Sequence, residues 1–586
     1  MTASRASAAL LAIALIGGPA AAADAPGAPV PLGPQPTRPA PSPSAAPAAS
    51  PTTPGPTGGA VTVDRLGAVD PDSVGLIGNP QGGLGVDLWR GTSRSVAAGL
   101  LQALPAPLES PALRRLERRL LLTTATAPEG KAEDGPLLLH RAQKLLDLGD
   151  AQAAIELVRA APTGLANERI ARIEVEGLFL GNDNAGACAR ARGVVGDYQG
   201  SYWQQALAYC LALAGDSEKA AMIADLLRER GAETPPAFFA LMDAVSGDRN
   251  ARIPAVDEPT ALLLSMMRTA NRKLPDSMAQ SSRPAVLRAV ALAPNADLAA
   301  RLAAAERAAV FGAISPEELA DIYAGIPFTP DELANPIASA EAQWGPRGRA
   351  LLLRAALAQS APAKRAEVLQ RALQLGREKG GLAELRRAIL PALDGIAPAP
   401  ELMFFAADAA TALYAAGRTK EASAWYDAAE AAAPNDQLAA RAWTVLWPLS
   451  RLVAGDKPWD ANLVTKWRAA QAAGGDDDAA RSRAATVFAL FEAFGQPVPS
   501  EAWSGLVRGA RTVEASMPDP AVWYALDRAA RDGRRGEAVA LTLIAIGPRG
   551  PRAASAMTLA AAIAALLRAD LDADAHAMAL EAAAGG

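Results

Sequence analysis

Leu145-Leu146-Asp147-Leu148-Gly149-Asp150 ends an apolar helical run, and the same punctuation returns at Gly181-Asn182, Gly215-Asp216 and Gly247-Asp248. The glycines stand 32, 34 and 32 residues apart. A period in the low thirties is that of stacked helix pairs, each too thin to bury its apolar face alone and closing its core only against its neighbours. Runs such as 142–148 and 209–214 precede the glycines, which suits a helix end where the chain swings to positive φ without a Cβ clash. The Asp or Asn that follows can accept a bond from an orphaned amide and cap the next helix, giving a tight helical turn. Five residues beyond the glycine stands a small residue, Ala154, Ala220 or (after Gly417) Ala422, with Gly186 in the second unit. A small side chain there lets two helices approach closely.

The clearest single unit is 403–436, which carries Leu413, Gly417, Glu421-Ala422, Tyr426, Ala429 and Pro434-Asn435 at the offsets of a tetratricopeptide repeat. The chain resembles that family. Ala422, Tyr426 and Pro434 keep the second-helix pattern, whereas the Trp and Leu-Gly positions of the first helix fall on Ala406 and Ala409-Ala410. The 149, 181 and 215 units keep the turn. The resemblance implies an all-α fold, a right-handed α-solenoid of antiparallel helical hairpins, whose concave groove is lined by the first helix of each unit. Such grooves bind extended peptides or partner helices. Carried onto this sequence, the groove positions are Gln143, Leu146, Val175, Phe179, Tyr202, Gln205, Tyr209, Phe404, Thr411 and Tyr414. The Lys/Asn set with which some family members clamp a C-terminal carboxylate is missing, and these residues could equally pack against the neighbouring unit.

Composition points the same way. Half of the 586 residues are apolar and only 5% are aromatic, so the core is built from Ala and Leu, which favour helix and close helix spacing. β-Branched runs of period two are almost missing. The net charge of −5 is spread, not blocked. That argues against a nucleic-acid groove and gives no polybasic membrane patch. The basic face of Arg114, Arg115, Arg118 and Arg119 on a helix over 113–122 reads most simply as solvated surface.

Residues 1–23 read as a secretory signal: Arg5, a short apolar run over 8–16, and Ala21-Ala22-Ala23 before Asp24. The run is too short to span a bilayer, which needs about 20 residues, so no transmembrane segment is expected after cleavage. Residues 24–60 are dense in Pro, Ala, Ser, Thr and Gly and read as a disordered linker or, alternatively, a recognition segment. An exported, periplasmic protein follows, with extracellular release as the other destination. In an oxidising compartment Cys188 and Cys210, on neighbouring helices of adjacent units, can form a disulfide worth about 3 kcal/mol for a loop of this length. Two buried free thiols are the alternative.

Beyond the linker, 61–125 reads as an N-terminal capping segment, 126–251 as tetratricopeptide-like repeats, 252–345 as an irregular helical joint and 346–586 as a second repeat array. The glycine-rich stretch 82–91 lacks the third glycine and the Lys-Ser/Thr of a phosphate loop. Capping by Thr92 or Ser93, with Trp89 closing the exposed end of the core, is the simpler reading. Ser315-Pro316-Glu317-Glu318 and Thr329-Pro330-Asp331-Glu332 are helix starts with a capping hydroxyl, Pro and first-turn acids.

His140 and His576 have no partner at ligand spacing, so neither a metal site nor a hydrolytic triad is expected. No cofactor is expected, and acid runs such as Asp476-Asp477-Asp478 read as loops. The expectation is therefore not an enzyme but a periplasmic scaffold or adaptor binding a protein partner of the bacterial envelope. The alternative is a cell-wall-acting enzyme, or its activator, built on a superhelix resembling that of soluble lytic transglycosylases, although no catalytic domain of theirs is recognisable.

Overall fold

A computed structural model describes residues 69–586 apart from 132, 134, 163, 164, 166, 232, 257, 456, 474, 475, 508–516 and 586. The expected signal and linker lie outside these residues. Among the described residues there are 29 α-helices and no strand. Two extended residues, Ile77 and Thr123, form an isolated bridge.

The turns that open the sequence do most of the local work. Gly149 and Gly215 are at φ 85° and 82°, and Asp150 and Asp216 accept the amides of Ala153 and Lys219, starting the helices Ala151–Arg159 and Ser217–Glu229. Two turns depart from the expectation. At Gly181 the glycine stays right-handed; Asn182 takes the positive φ instead, and Asp183 caps Asn184–Val194. The change costs little, because Asn is among the few non-glycine residues that enter this region readily. Asp248 accepts the amide of Asn250 and starts no helix. The next helix, Ala261–Thr269, starts from Thr260. Both predicted helix starts in the 252–345 segment have complete capping boxes, at Ser315 and Thr329.

Consecutive helices pack together: Leu137–Asp147 with Ala151–Arg159, Glu168–Leu180 with Asn184–Val194, and Ser201–Leu213 with Ser217–Glu229. The small residues at the turns serve this packing, since Ala154, Ala220 and Ala422 are fully buried. A Cβ on Gly177 would stand 2.9 Å from Ile155. Cys188 and Cys210 are disulfide-bonded, with Cα atoms 5.4 Å apart.

Among the described residues the larger of two apolar clusters runs from Leu84 to Ala584, and the two ends of the described chain meet. Helices Arg94–Ala103 and Pro111–Leu122 pack on Arg535–Ile546, and Pro111–Leu122 also packs on Asp572–Ala583. The glycine-rich stretch belongs to this seam. Leu84, Leu88 and Trp89 are buried, Leu88 O accepts the Gly536 amide at 2.8 Å, and Arg535 donates to Leu84 O at 3.1 Å. A Cβ at Gly536 would lie 2.7 Å from Leu88 O and 2.8 Å from the Trp89 ring, so this approach requires glycine. Trp89 therefore covers the C-terminal part of the same chain and does not close a free end. Ser93 caps Arg94–Ala103, and Thr92 bonds Glu537.

Arg141, almost fully buried, ties the extended start to this frame by donating to Leu121 O, Val74 O and Thr123 O. Further along, Arg349 and Tyr323 both bond the buried Glu306 carboxylate, which joins Leu298–Val310 to Pro346–Leu357.

Candidate functional site

In Pro111–Leu122, Leu113, Leu116 and Leu120 form a buried stripe, which leaves Arg114, Arg115 and Arg118 on another face. That face looks into a cavity of about 1160 Å³. Arg115 and Arg118 are exposed, as the sequence reading has it, while Arg114 is half-buried and departs from it; the fourth, Arg119, bonds Gly82 O and Asp574 in the seam. The cavity wall combines helix residues with the turns at Leu148–Asp150, Gly181–Asn182, Ala293–Asn295 and Phe311–Ser315. Arg268, Arg288, Arg386, Arg387 and Arg552 add to the three arginines already named, against only two carboxylates, Asp150 and Glu581. Arg386 and Arg552 also line a second cavity of about 1580 Å³, where Arg377, Arg481, Arg483 and Arg549 stand against Asp408 and Asp478. In a chain with an excess of acids, the described interior thus carries a large excess of positive charge.

Backbone carbonyls hold some of the arginines and carboxylates hold others. Arg114 donates to Leu108 O, Glu109 O and Val310 O at 2.8, 3.0 and 2.6 Å. Gly312 makes room for it, since a Cβ there would stand 2.5 Å from the Arg114 Nε. Arg268 reaches Leu180 O and Phe179 O. Arg118 pairs with Asp150 and Arg288 with Glu318. Burial, followed by the neighbouring Arg387 charge, pushes the Arg114 pKa down to about 9. Burial, followed by Arg552, does the same to Arg386, to about 10, and lowers Arg387. Arg114, Arg386 and Arg387 thus hold like charge in a poorly solvated part of the cavity, which is the electrostatic condition for holding an anion.

The groove positions carried over from the tetratricopeptide pattern fall elsewhere. Leu146, Val175, Phe179, Gln205, Tyr209 and Tyr414 are buried, so they pack the helices together and present no open surface. Tyr209 bonds Ser265 and Thr269 on Ala261–Thr269 at 3.0 and 2.6 Å. Gln143 is exposed and bonds Asp147. Tyr202 and Phe404 are half-buried, Tyr202 under the Arg172 guanidinium. Of the ten, Thr411 alone borders one of these two cavities. The expected groove would be lined by apolar and aromatic side chains of first helices; the cavity found joins aliphatic side chains to eight arginines and takes in almost none of those positions.

Sequence reasoning missed Arg386, Arg387 and Arg552, because charge that is spread along the chain is gathered only by the fold. A trace of the signal was the cluster Arg114, Arg115 and Arg118 itself. Comparisons of the chain with family models, with curated proteins and with solved structures gave no match. Among the described residues no helix is long and apolar enough to cross a membrane.

Proposed function

We propose that the protein is an exported, periplasmic helical-repeat scaffold, an α-solenoid of antiparallel hairpins related to tetratricopeptide proteins, that holds an acidic segment of an envelope protein in its arginine-lined interior. The observation that carries the reading is the charge of that interior, in which arginines from the beginning, middle and end of the chain outnumber carboxylates several-fold although the whole chain is acidic. Guanidinium groups are weakly hydrated and offer paired donors to carboxylates, so a wall of them suits Asp- and Glu-rich polypeptide. The signal-like N-terminus supports the compartment. The positive φ shared by Gly149, Gly215 and Gly417 supports the family.

The test is photo-crosslinking in intact cells from a reactive residue placed at Gln152, which lines the cavity, and at Gln143, which does not. A single acidic envelope protein captured from position 152 and not from 143 is expected. Equal capture at both positions would count against the interior. Solubilisation of cell-wall sacculi by the purified chain would replace the scaffold with the cell-wall enzyme alternative.

A further inference from the structure

Arg114, Arg387 and Arg552 come from three distant segments: the helix Pro111–Leu122, the helix Leu382–Ala388 and the turn before Ala556–Arg568. All three line the first cavity, and Arg552 stands where it borders the second. Their hydrogen bonds go to uncharged oxygens. Arg114 and Arg387 donate to the same carbonyl, Glu109 O, at 3.0 and 3.1 Å, so their donor nitrogens are about 6 Å apart at most. Arg552 donates through Nε to Glu581 O at 3.4 Å. Backbone carbonyls fix where the guanidinium groups sit without cancelling their charge. The carboxylate of Glu581 is committed elsewhere, accepting the Ser110 hydroxyl at 2.8 Å and the Ala112 amide at 3.1 Å at the start of Pro111–Leu122.

We infer that Arg114, Arg387 and Arg552 form a binding site for a phosphoryl group, set at the neck between the two cavities. A carboxylate is planar, singly charged and satisfied by one forked guanidinium. Three guanidinium groups on three separate segments lining one cavity suit instead a tetrahedral group with about two negative charges and three acceptor oxygens. Burial first, and then a neighbouring guanidinium, lowers the proton affinities of Arg114 and Arg387, with Glu581 opposing both shifts. Pre-positioned donors need no rearrangement when the anion arrives, which favours binding.

The inference rests on the reading of the interior as a binding chamber, and its test uses no peptide, so the two fail separately. Isothermal titration of the full chain with inorganic phosphate, pyrophosphate and acetate is run beside Arg552→Gln and Arg387→Gln. Arg552 is exposed at the cavity wall, so its substitution is compatible with folding even where that of Arg387 is not. Expected are saturable binding of phosphate, tighter binding of pyrophosphate, and at least a tenfold loss of affinity for both in Arg552→Gln, with unchanged circular dichroism. Absence of saturable phosphate binding, acetate binding as tightly as phosphate, or an Arg552→Gln chain with unaltered affinity would each overturn it. A chain that takes acidic peptide into the interior but not phosphate sinks only this inference. A chain that takes phosphate but captures no acidic partner sinks only the proposed function.

Discussion

The helix pairs between residues 137 and 229 and the seam between the ends of the folded chain are held by different means. In the pairs the contacts are local: a capped turn, a buried alanine five residues on, and a disulfide between residues 22 apart. In the seam the bonded residues are separated by more than 400 positions, as in Thr92 to Glu537 and Ser110 to Glu581. There the contacts are backbone to backbone, buried ion to hydroxyl, and one tryptophan against a glycine. The difference teaches that pair formation needs only neighbours, whereas the arginine-lined interior exists only once the seam has closed around it. The entropic cost of closing so long a loop grows slowly with length, so a modest number of good contacts suffices.

That contrast can be broken on either side. Replacing both Cys188 and Cys210 by Ala is expected to remove about 3 kcal/mol by releasing a constraint on the unfolded chain. The loss should appear in urea unfolding and in faster amide exchange over 184–213, while the seam stays protected.

In the seam helix, Glu117 is fully buried and neither carboxyl oxygen has a hydrogen-bond partner. Burial, opposed by Lys144, raises its pKa to about 8 from 4.5. The folded chain then holds a proton that the unfolded chain releases above about 4.5, so this contribution to stability is whole below that pH. It is lost as pH rises towards 8, at up to about 1.4 kcal/mol per unit. Between pH 5 and 7, wild type should therefore lose roughly 2 to 3 kcal/mol relative to Glu117→Gln, measured by urea unfolding at each pH.

Gly536→Val drives a side chain into Leu88 O and the Trp89 ring. A cost of about 2 kcal/mol is expected, with proteolytic cleavage of the 82–91 stretch that leaves 137–229 intact. Cleavage spread evenly along the chain would erase the distinction between the two regions. Smallest is Tyr209→Phe, which removes the hydroxyl that bonds Ser265 and Thr269. About 1 kcal/mol is expected in thermal unfolding.

What is legible in the sequence follows the same division. The helices, the capping hydroxyls of Ser315 and Thr329 and the positive φ of Gly149 and Gly215 depend on a few adjacent residues, and the sequence displays them. At Gly181-Asn182 the local rule allows two solutions, and the neighbouring asparagine takes the strained position. At Asp248 the cap has no helix beside it to start. Six of the ten groove candidates are buried because a repeat pattern gives a side chain's direction within its own pair, not what the next pair lays over it. Tyr209 is covered by Ala261–Thr269, from the segment in which the period fades. Nothing local ties Arg114, Arg387 and Arg552 to one another, so their convergence is visible only once helices far apart in the chain have packed.

The central claim, that the interior is the binding surface, is tested most directly by arginine footprinting with phenylglyoxal in the presence and absence of a poly-glutamate peptide. Arg115 and Arg118 are exposed within the first cavity, while Arg90 and Arg531 are exposed outside both cavities. The account predicts that the peptide slows modification of Arg115 and Arg118 several-fold and leaves Arg90 and Arg531 reacting as before. Equal protection of all four, or of none, would contradict it.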